Sequence, residues 1–424
     1  MLPLNTITND GNLNNNLPFD SWFAQLRSAN VDGVMGDVWW GIVEKSGPKQ
    51  YNWSPYQQLL QKVQSHGLKM QATMSFHQCG GNVGDDCDIP LPPWVTSVGN
   101  SNPDIYYTDR EGNRDHEYLS LGVDNQTIFQ GRSPVQIYTD FVRSFASTFS
   151  SLMGSTIVEL QVGLGPAGEL RYPSYQLSRW SFPGVGEFQC YDKYMLADLS
   201  RAASAAGHPE WGNGGPNNAG SYNCNPCNDG SCGPFFGSGF DNYNSAYGQF
   251  FLGWYSDRLL EHAVAILSNT VPIAKNYGVE VSTKISGIHW QFNTPAHGAE
   301  LTAGYRNSDG NAYNRIAQTL SRFGVVFDFT CLEMRDSEQP GGSCCCSPEN
   351  LVYQTLVAAK NNGIVYKGEN ALPRYDQTAY NTIKYESNRV GPIGGFTYLR
   401  LGDTLMQSNN FQTFSSFVNQ MHNL

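Results

Sequence analysis

Short apolar runs alternate with longer amphipathic stretches from one end of the 424-residue chain to the other. The short runs predict buried strands, and the amphipathic stretches predict helices. Strands are predicted at residues 2–5, 33–40, 69–76, 156–162, 281–290, 325–333, 363–372 and 393–401. Helices are predicted at residues 19–30, 55–66, 134–153, 188–206, 242–270, 311–322, 349–361, 375–387 and 410–422. This order predicts an α/β fold, a single (β/α)8 TIM barrel with long loops at the C-terminal face of the strands.

The length of the chain allows either one large barrel with insertions or two to three smaller domains. No interior change of composition and no linker marks a domain boundary. A long loop runs from residue 77 to about 130, and a glycine- and cysteine-rich insertion lies at about 208–240. A doubly wound sheet is disfavoured, because it needs fewer strand–helix units and a glycine-rich phosphate turn. We therefore expect residues 1–424 to form a single (β/α)8 catalytic domain.

The composition narrows the classes of partner. A net charge of −11 argues against nucleic acid, which demands a basic face. The 23 tyrosines, 22 phenylalanines and 9 tryptophans provide core and aromatic surface that suits neutral sugar rings. No apolar run approaches the roughly 18 residues that span a bilayer, so no membrane partner is expected.

Six of the ten cysteines fall into two groups. Cys224, Cys227 and Cys232 share the insertion, and 344–346 is an uninterrupted cysteine triplet. The first group has three ligands for a zinc ion but no obvious fourth, so disulfides within the insertion or to the triplet are favoured over metal. The oligomeric state is not predicted.

Two more cysteines, Cys79 and Cys87, bracket the segment 80–86. They form either a disulfide at the base of this loop or two free thiols. Asn52-Trp53-Ser54 and Asn125-Gln126-Thr127 fit the glycosylation acceptor pattern. The cysteines and these two patterns favour a secreted or other oxidising compartment.

Glu169 is the first candidate for chemistry, because glycine and proline place it on a loop just past the carboxyl end of a predicted strand. An ion pair with Arg171 on a solvated loop is the alternative interpretation. Four aromatic residues follow closely: Tyr172, Tyr175, Trp180 and Phe182. Apolar surroundings help a carboxyl group to keep its proton near neutral pH, as a general acid must.

Carboxylates, histidines and basic residues collect at six predicted strand ends, which predicts a catalytic rim. Among them is Glu369, which lies 200 positions after Glu169 and on a strand expected across the barrel mouth. Two such glutamates suit glycoside hydrolysis, with one acid and one base or nucleophile. Carboxyl groups about 5 Å apart would indicate retention of configuration, and about 6.5–9.5 Å inversion. The glycine-rich segment 80–86 is expected to close as a lid.

Seven long segments closely resemble the β-amylase family, the exo-acting 4-α-glucan maltohydrolases. They are VDGVMGDVWWGIVEKSGPKQYNW, MSFHQCGGNVGDDCDIPLPPWV, GPAGELRYPSY, KISGIHWQFNTPAHGAELTAGY, FTCLEMRDSEQP, GENAL and TYLRL. The likeness runs from residue 1 to about 402. It implies a (β/α)8 barrel that acts on starch-type α-1,4-glucan and releases maltose, with no cofactor and no metal.

The resemblance also implies site residues. Glu169 would be the general acid, Glu369 the general base of an inverting reaction, and Asp85 a residue of the mobile lid. Thr330 would lie on an inner loop that shifts during turnover, beside the inhibition-sensitive thiol of Cys331. The residues expected to hold sugar rings are Asp37, His77, Lys284, His289, Asn370, Ala371 and Arg400.

The sequence departs from the family in the cysteine-rich insertion and the cysteine triplet. Pro48 stands where the calcium-binding members would have an acidic residue, and we expect no C-terminal starch-binding domain. Besides a retaining glycosidase, a maltose-sensing or glucan-binding protein without turnover is a second alternative. The presence of Glu169, Glu369, Asp85 and Thr330 argues for the enzyme.

Overall fold

The structure, a computed structural model, describes residues 1–227 and 232–424. Seven parallel strands of these residues form one curved sheet in the order β1-β2-β5-β6-β7-β8-β9. Their bounds are β1 Gly33–Trp39, β2 Lys69–Ser75, β5 Ile157–Val162, β6 Glu280–Ile285, β7 Val326–Phe329, β8 Tyr366–Glu369 and β9 Gly395–Thr397. Each pair is parallel and in register with its neighbour, so every strand ends at the same rim. The predicted α/β barrel is confirmed.

The gap between β9 and β1 is closed by the first residues of the chain. The Leu2 amide donates to the carbonyl of Met35 on β1 at 2.7 Å, and the Leu401 amide donates to the carbonyl of Met1 at 2.8 Å. This segment is too short to be a regular strand, yet it supplies backbone bonds to both edges of the sheet.

The prediction of a first strand at 2–5 is wrong beyond this short segment. Leu4–Thr6 instead forms a 3-10 turn. Pro3 has no amide hydrogen to give to a strand ladder, and its carbonyl accepts from both the amide and the hydroxyl of Thr6, at 3.1 and 2.7 Å. The turn carries the chain away from the sheet towards the rim.

Helices cover the outside of the sheet and bury their apolar faces against it. Their bounds are α1 Phe19–Ser28, α2 Trp40–Val43, α3 Ser54–Ser65, α4 Pro93–Ser101, α5 Pro134–Thr148, α6 Lys193–Ala205, α7 Ala246–Lys275, α8 Gly298–Thr302, α9 Ala312–Ser321, α10 Pro348–Asn361, α11 Gln377–Asn388, α12 Asp403–Met406 and α13 Ser408–Met421. The local sequence explains where α5 begins. At α5, Ser133 and Gln136 form a reciprocal capping box around Pro134 at the first helical position. None of the described helices is long and apolar enough to cross a bilayer.

The predicted loop 77–130 contains regular structure that the sequence pattern did not indicate. Two short strands, β3 Tyr106–Thr108 and β4 Arg114–Leu119, pair in antiparallel fashion, and α4 precedes them. The turn between the strands is held by Asp109, whose carboxylate accepts from the amide and side chain of Asn113 at 2.8 Å each. This hairpin reaches the rim and places Glu117 behind the cavity described below.

Four disulfides are present among the described cysteines. They join Cys79 to Cys87, Cys224 to Cys232, Cys227 to Cys345, and Cys344 to Cys346. Of the two alternatives for Cys79 and Cys87, the structure has the disulfide, and the predicted disulfides of the insertion and triplet cysteines are confirmed. Residues 228–231 of the predicted insertion lie outside the described residues.

Candidate active site

A cavity of about 1220 Å³ opens at the rim where the strands end. All eleven site residues that the sequence predicted line it, although they come from widely separated parts of the chain. They are Asp37, His77, Asp85, Glu169, Lys284, His289, Thr330, Glu369, Asn370, Ala371 and Arg400. The barrel therefore brings the predicted rim together in one place.

Glu169 reaches the cavity through a tight turn after β5. Pro166–Gly168 forms a 3-10 turn in which Ala167 and Gly168 have positive φ angles of 52° and 75°. The next amide, that of Leu170, donates to the carbonyl of Lys284 at the end of β6 at 2.9 Å. The turn and this bond fix the backbone of Glu169 beside the neighbouring strand.

The ion pair with Arg171, considered above as an alternative, is present but buried. Arg171 Nε donates to Glu169 Oε2 at 2.6 Å, and the guanidinium lies 4.1 Å over the ring of Tyr175. The Tyr175 hydroxyl is 3.5 Å from the same carboxylate oxygen. Since only 2% of the Arg171 side chain is exposed, the pair belongs to the cavity wall and not to a solvated loop.

Of the four aromatic residues expected around Glu169, three line the cavity: Tyr175, Trp180 and Phe182. The expectation for Tyr172 is wrong. Its ring is buried on the other side of the backbone and stacks on Tyr255 at a centroid distance of 3.8 Å. The successive side chains Arg171 and Tyr172 thus point to opposite sides of the segment.

Glu369 is the last residue of β8 and is 2% exposed. Lys284 Nζ lies 2.7 Å from its Oε2, while Oε1 is buried without a hydrogen-bond partner in the described part of the chain. Burial lowers the pKa of Lys284, but the negative field of Glu369 and then of Asp328 outweighs it, so the pKa is raised overall. Lys284 therefore stays charged beside Glu369.

The two cavity histidines are uncharged near neutral pH. Burial lowers the pKa of His77 to about 3, with Lys284 and Arg171 acting in the same direction. Burial lowers the pKa of His289 to about 4. Nδ1 of each ring has no partner among the described residues, so each offers an uncharged ring nitrogen to a ligand hydroxyl.

Asp37 and Asp85 occupy the same side of the cavity. The Ser75 hydroxyl donates to Asp37 Oδ1 at 2.8 Å and orients it. Asp85 Oδ2 accepts from the amides of Gly80 and Asn82, both at 2.9 Å, which gives the loop its shape. Burial raises the pKa of Asp85 despite these bonds.

Asn370, Ala371 and Arg400 face the cavity, and their polar groups bond to backbone or carboxylate partners. The Asn370 amide group bonds to the backbone of Leu399 in both directions, at 2.6 and 2.7 Å. The Ala371 amide donates to both oxygens of Glu333, at 3.1 and 3.0 Å. Arg400 Nη1 donates to the carbonyl of Leu2 at 2.8 Å.

Thr330 follows β7 directly, in the turn that ends this strand. The next residue, Cys331, has a positive φ of 64° and a fully buried thiol, whose pKa burial raises well above its usual value. Of the described cysteines, only Cys331 and Cys190 are outside disulfides. The thiol beside the predicted inner loop is thus present, but it is covered.

Sequence reasoning missed several groups at or below the cavity. Glu333 is at the end of a predicted strand but was not predicted as a site residue. It is buried, which raises its pKa to about 7. Its carboxylate accepts hydrogen bonds from the amides of Ala371 and Leu372. Asp328 lies on β7 in register with Lys284, and burial followed by Glu369 raises its pKa well above the usual range. Alternation along β7 could have indicated that Asp328 faces the barrel interior.

A possible metal-ligating cluster lies outside the cavity. Asp109, Glu111 and Glu187 have carboxylate oxygens within 4.8 Å of one another. Asp109 already accepts three hydrogen bonds, two from Asn113 and one from Tyr222 at 2.9 Å. The hairpin turn explains this carboxylate without an ion.

Two glutamates on one rim cavity of a parallel α/β barrel are the arrangement that glycoside hydrolysis uses. The chain belongs to glycosyl hydrolase family 14, whose family model matches residues 1–424. The resemblance to β-amylases noted in the motifs is therefore confirmed over the whole chain.

Similar proteins include plant and bacterial members. Beta-amylase 2, chloroplastic, of Oryza sativa subsp. japonica is 50% identical over 99% of this chain and 76% of its own length. Beta-amylase of Medicago sativa is 50% identical over 100% of this chain and 86% of its own length. The crystal structure of the catalytic domain of beta-amylase from Paenibacillus polymyxa superimposes with a TM-score of 0.81 at 32% identity, covering 99% of this chain and 97% of that chain.

Proposed function

We propose that this chain hydrolyses α-1,4-glucosidic bonds at the non-reducing ends of starch-type glucans, with inversion, and releases β-maltose. Relatives named beta-amylase at 50% identity support the substrate and product. The observation that carries the mechanism is the unequal setting of the two cavity glutamates. Glu369 is paired with Lys284, and Glu169 with Arg171 and Tyr175.

Glu369 is the general base. Its Oε2 faces the ammonium group of Lys284 at 2.7 Å, and this contact fixes the orientation of the carboxyl group. Its Oε1 has no partner among the described residues, which leaves one oxygen for a water molecule. The base deprotonates this water as the water attacks the anomeric carbon, so the new hydroxyl group forms on the face opposite the leaving oxygen.

Glu169 is the general acid. It protonates the glycosidic oxygen as the bond to the anomeric carbon breaks, and the proton later returns from solvent. Its side chain is 13% exposed against 3% for Glu369, which suits contact with the leaving group rather than with a buried water. Arg171 donates one hydrogen bond to this carboxyl group, so the acid role depends on how the ion pair is held.

The remaining predicted residues hold sugar rings. His77 and His289 offer uncharged ring nitrogens, and Asp37 offers a carboxylate oriented by Ser75. Asn370 and Ala371 act through their backbone carbonyls, because the Asn370 side chain is used by Leu399 and the Ala371 amide by Glu333. Neutral and singly charged groups of this kind suit hydroxyl-rich, uncharged rings.

Product stereochemistry and length test the proposal. During digestion of amylose followed by proton NMR, we expect β-maltose as the only early product, with no fall in viscosity ahead of sugar release. Early α-maltose would contradict inversion, and a ladder of longer oligosaccharides would contradict exo-action. Binding of maltose by calorimetry with no product formed would favour the glucan-binding alternative.

A further inference from the structure

The lid, residues Gly80–Asp86, contacts the arginine that pairs with Glu169 through the side chain of Asn82. Asn82 is the only buried residue of this segment, and Val83 beside it is 61% exposed. The Leu177 amide also donates to the carbonyl of Gly81 at 3.2 Å, which holds the lid against the loop after β5. A movement of the lid would therefore change the contacts that Asn82 makes with the residues beside Glu169.

The amide group of Asn82 lies between a cation and a carboxyl group. Its Oδ1 accepts from Arg171 Nη2 at 3.0 Å, and its Nδ2 donates to Glu117 Oε1 on β4. Because a guanidinium group only donates hydrogen bonds, the oxygen of the amide must face Arg171. The orientation of Asn82 is thus fixed by its partners.

Arg171 makes only one hydrogen bond to Glu169. Its Nε donates to the carboxylate at 2.6 Å, and its Nη1 donates to the carbonyl of Tyr172 at 3.3 Å. Arginine–carboxylate pairs are strongest when two parallel N–H groups donate to the two oxygens. Nη2 carries two N–H groups; it donates to Asn82 Oδ1, and the described residues show no bond from Nη2 to Glu169.

Glu117 does not compete for this cation near neutral pH. Burial raises its pKa to about 8, and Asp115 adds to the effect while Arg171 opposes it. The uncharged acid still accepts from Asn82 and from the Ala167 amide, the latter at 2.8 Å. Asn82 is consequently anchored on its far side by a group without charge.

We propose that Asn82 is a positioning residue that couples the lid to the general acid, by limiting Arg171 to a single hydrogen bond with Glu169. When the lid lies in place, the ion pair is weakened enough for Glu169 to carry its proton to the glycosidic oxygen. When the lid leaves, Arg171 is free to pair fully and the acid is lost. The inference rests on the proposed role of Glu169.

Other ionisable groups around the Glu169–Arg171 pair remain in place in any Asn82 variant. They come from β4, β6, the loops after β2, β5 and β7, and the segment after α8. They are Asp115, Glu117, Lys284, His77, Tyr175, Cys331 and Tyr305. Two carboxyl groups, those of Glu117 and Asp85, have pKa values that depend on Asn82 itself, so Glu117→Gln with Asn82 intact is the control for an effect through Glu117.

The test is the pH profile of kcat. For Asn82→Ala we expect the basic limb to move to lower pH by about one unit, since a fuller ion pair favours the ionised acid. Asn82→Asp keeps an acceptor for Nη2, and we expect its basic limb at or above the parent position. Val83→Ala is the matched control on the same loop, and we expect it to change KM with the basic limb unmoved.

A purely structural role would lower kcat equally at every pH. Coincident basic limbs for Asn82→Ala and Val83→Ala would overturn the coupling, provided that thermal unfolding shows both variants folded. If Asn82→Ala does not fold, a basic limb for Asn82→Asp below that of the parent is the overturning result. Glu169→Gln distinguishes a failure of the proposed function from a failure of the coupling. If Glu169→Gln is active, the proposed catalytic role of Glu169 is refuted. If it is inactive and the basic limbs of Asn82→Ala and Val83→Ala coincide, only the coupling is refuted.

Discussion

The ammonium nitrogen of Lys284 lies 2.7 Å from Oε2 of Glu369, and the backbone carbonyl of the same lysine holds the amide that follows Glu169. One residue of β6 thus contacts Glu369 by its side chain and the loop that carries Glu169 by its backbone. The spacing of the two glutamates is set by a strand rather than by loops alone, which suits a reaction that needs a fixed space for water.

Replacing either glutamate should stop turnover and leave binding largely intact. We expect Glu169→Gln and Glu369→Gln each to lower kcat by about 100- to 10,000-fold, because each removes one half of the acid–base pair and keeps the shape. Maltose affinity, measured by calorimetry, should change only slightly. Near-normal turnover in either variant would contradict the assignment.

Lys284→Met should impair the base in a pH-dependent way. Loss of the ammonium group leaves a buried carboxylate without its cation, so the acid limb of kcat/KM should move to higher pH and the maximal rate should fall about 100-fold or more. Lys367→Met is the control. This lysine pairs with Glu159 and Glu280 on the barrel floor, and its loss should lower stability without moving the limb.

Glu117→Gln should make the protein more stable at alkaline pH. The pKa of Glu117 is about 8 in the fold, against its usual 4.5, so ionisation opposes folding increasingly as pH rises from 4.5 to 8. The glutamine cannot ionise, and its advantage should grow by up to about 1.4 kcal/mol per pH unit across this window. Thermal unfolding at pH 5 and pH 8 measures it; an equal difference at both values would contradict the prediction.

The Cys79–Cys87 disulfide should matter for the lid. Opening it with the double substitution Cys79→Ser/Cys87→Ser removes a constraint worth about 2–3 kcal/mol on a loop of this length. We expect a higher KM and faster proteolytic cleavage within 80–86. Cys224→Ser/Cys232→Ser is the control, because that bridge has the same sequence separation of 8 but lies in the insertion.

Cys331 should control inactivation by thiol reagents. Its thiol is buried with a raised pKa, so the native enzyme should react slowly, and a group added there would have to displace the residues that cover it. Activity of Cys331→Ser should resist the reagent. Cys190→Ser removes the other buried free thiol, and we expect the reagent to inactivate this variant as fast as it inactivates the parent enzyme.

Apolar periodicity was sufficient to predict the early strands of the barrel. Residues 33–40 and 69–76 overshoot β1 and β2 by one residue each, since nearly every position there is buried. The prediction at 325–333 overshoots β7 by four residues, because hydrophobic residues continue into the turn at Cys331. The hairpin at 106–119 was not predicted, since strands of three and six residues leave too short a pattern.

The predicted site residues came from long motifs, and the structure places them on one cavity. What the sequence could not indicate is how they are held. Asn82, Glu117 and Arg171 are separated by 35 to 89 positions, and only the fold makes them neighbours. Their hydrogen-bond pattern depends on burial and donor geometry, which no local pattern contains.

The disulfide between Cys227 and Cys345 joins the insertion to the loop after β7, and the Gln291 amide donates to the carbonyl of Cys344 at 2.7 Å. Three loops on this side of the cleft are therefore linked to one another, whereas the lid on the other side has a disulfide only at its base and is otherwise held by hydrogen bonds. Hydrogen–deuterium exchange is expected to be slow on the linked side and fast across the lid. A trimmed glucan chain can then stay against the rigid side while the disaccharide leaves past the lid, which favours several cuts during one encounter.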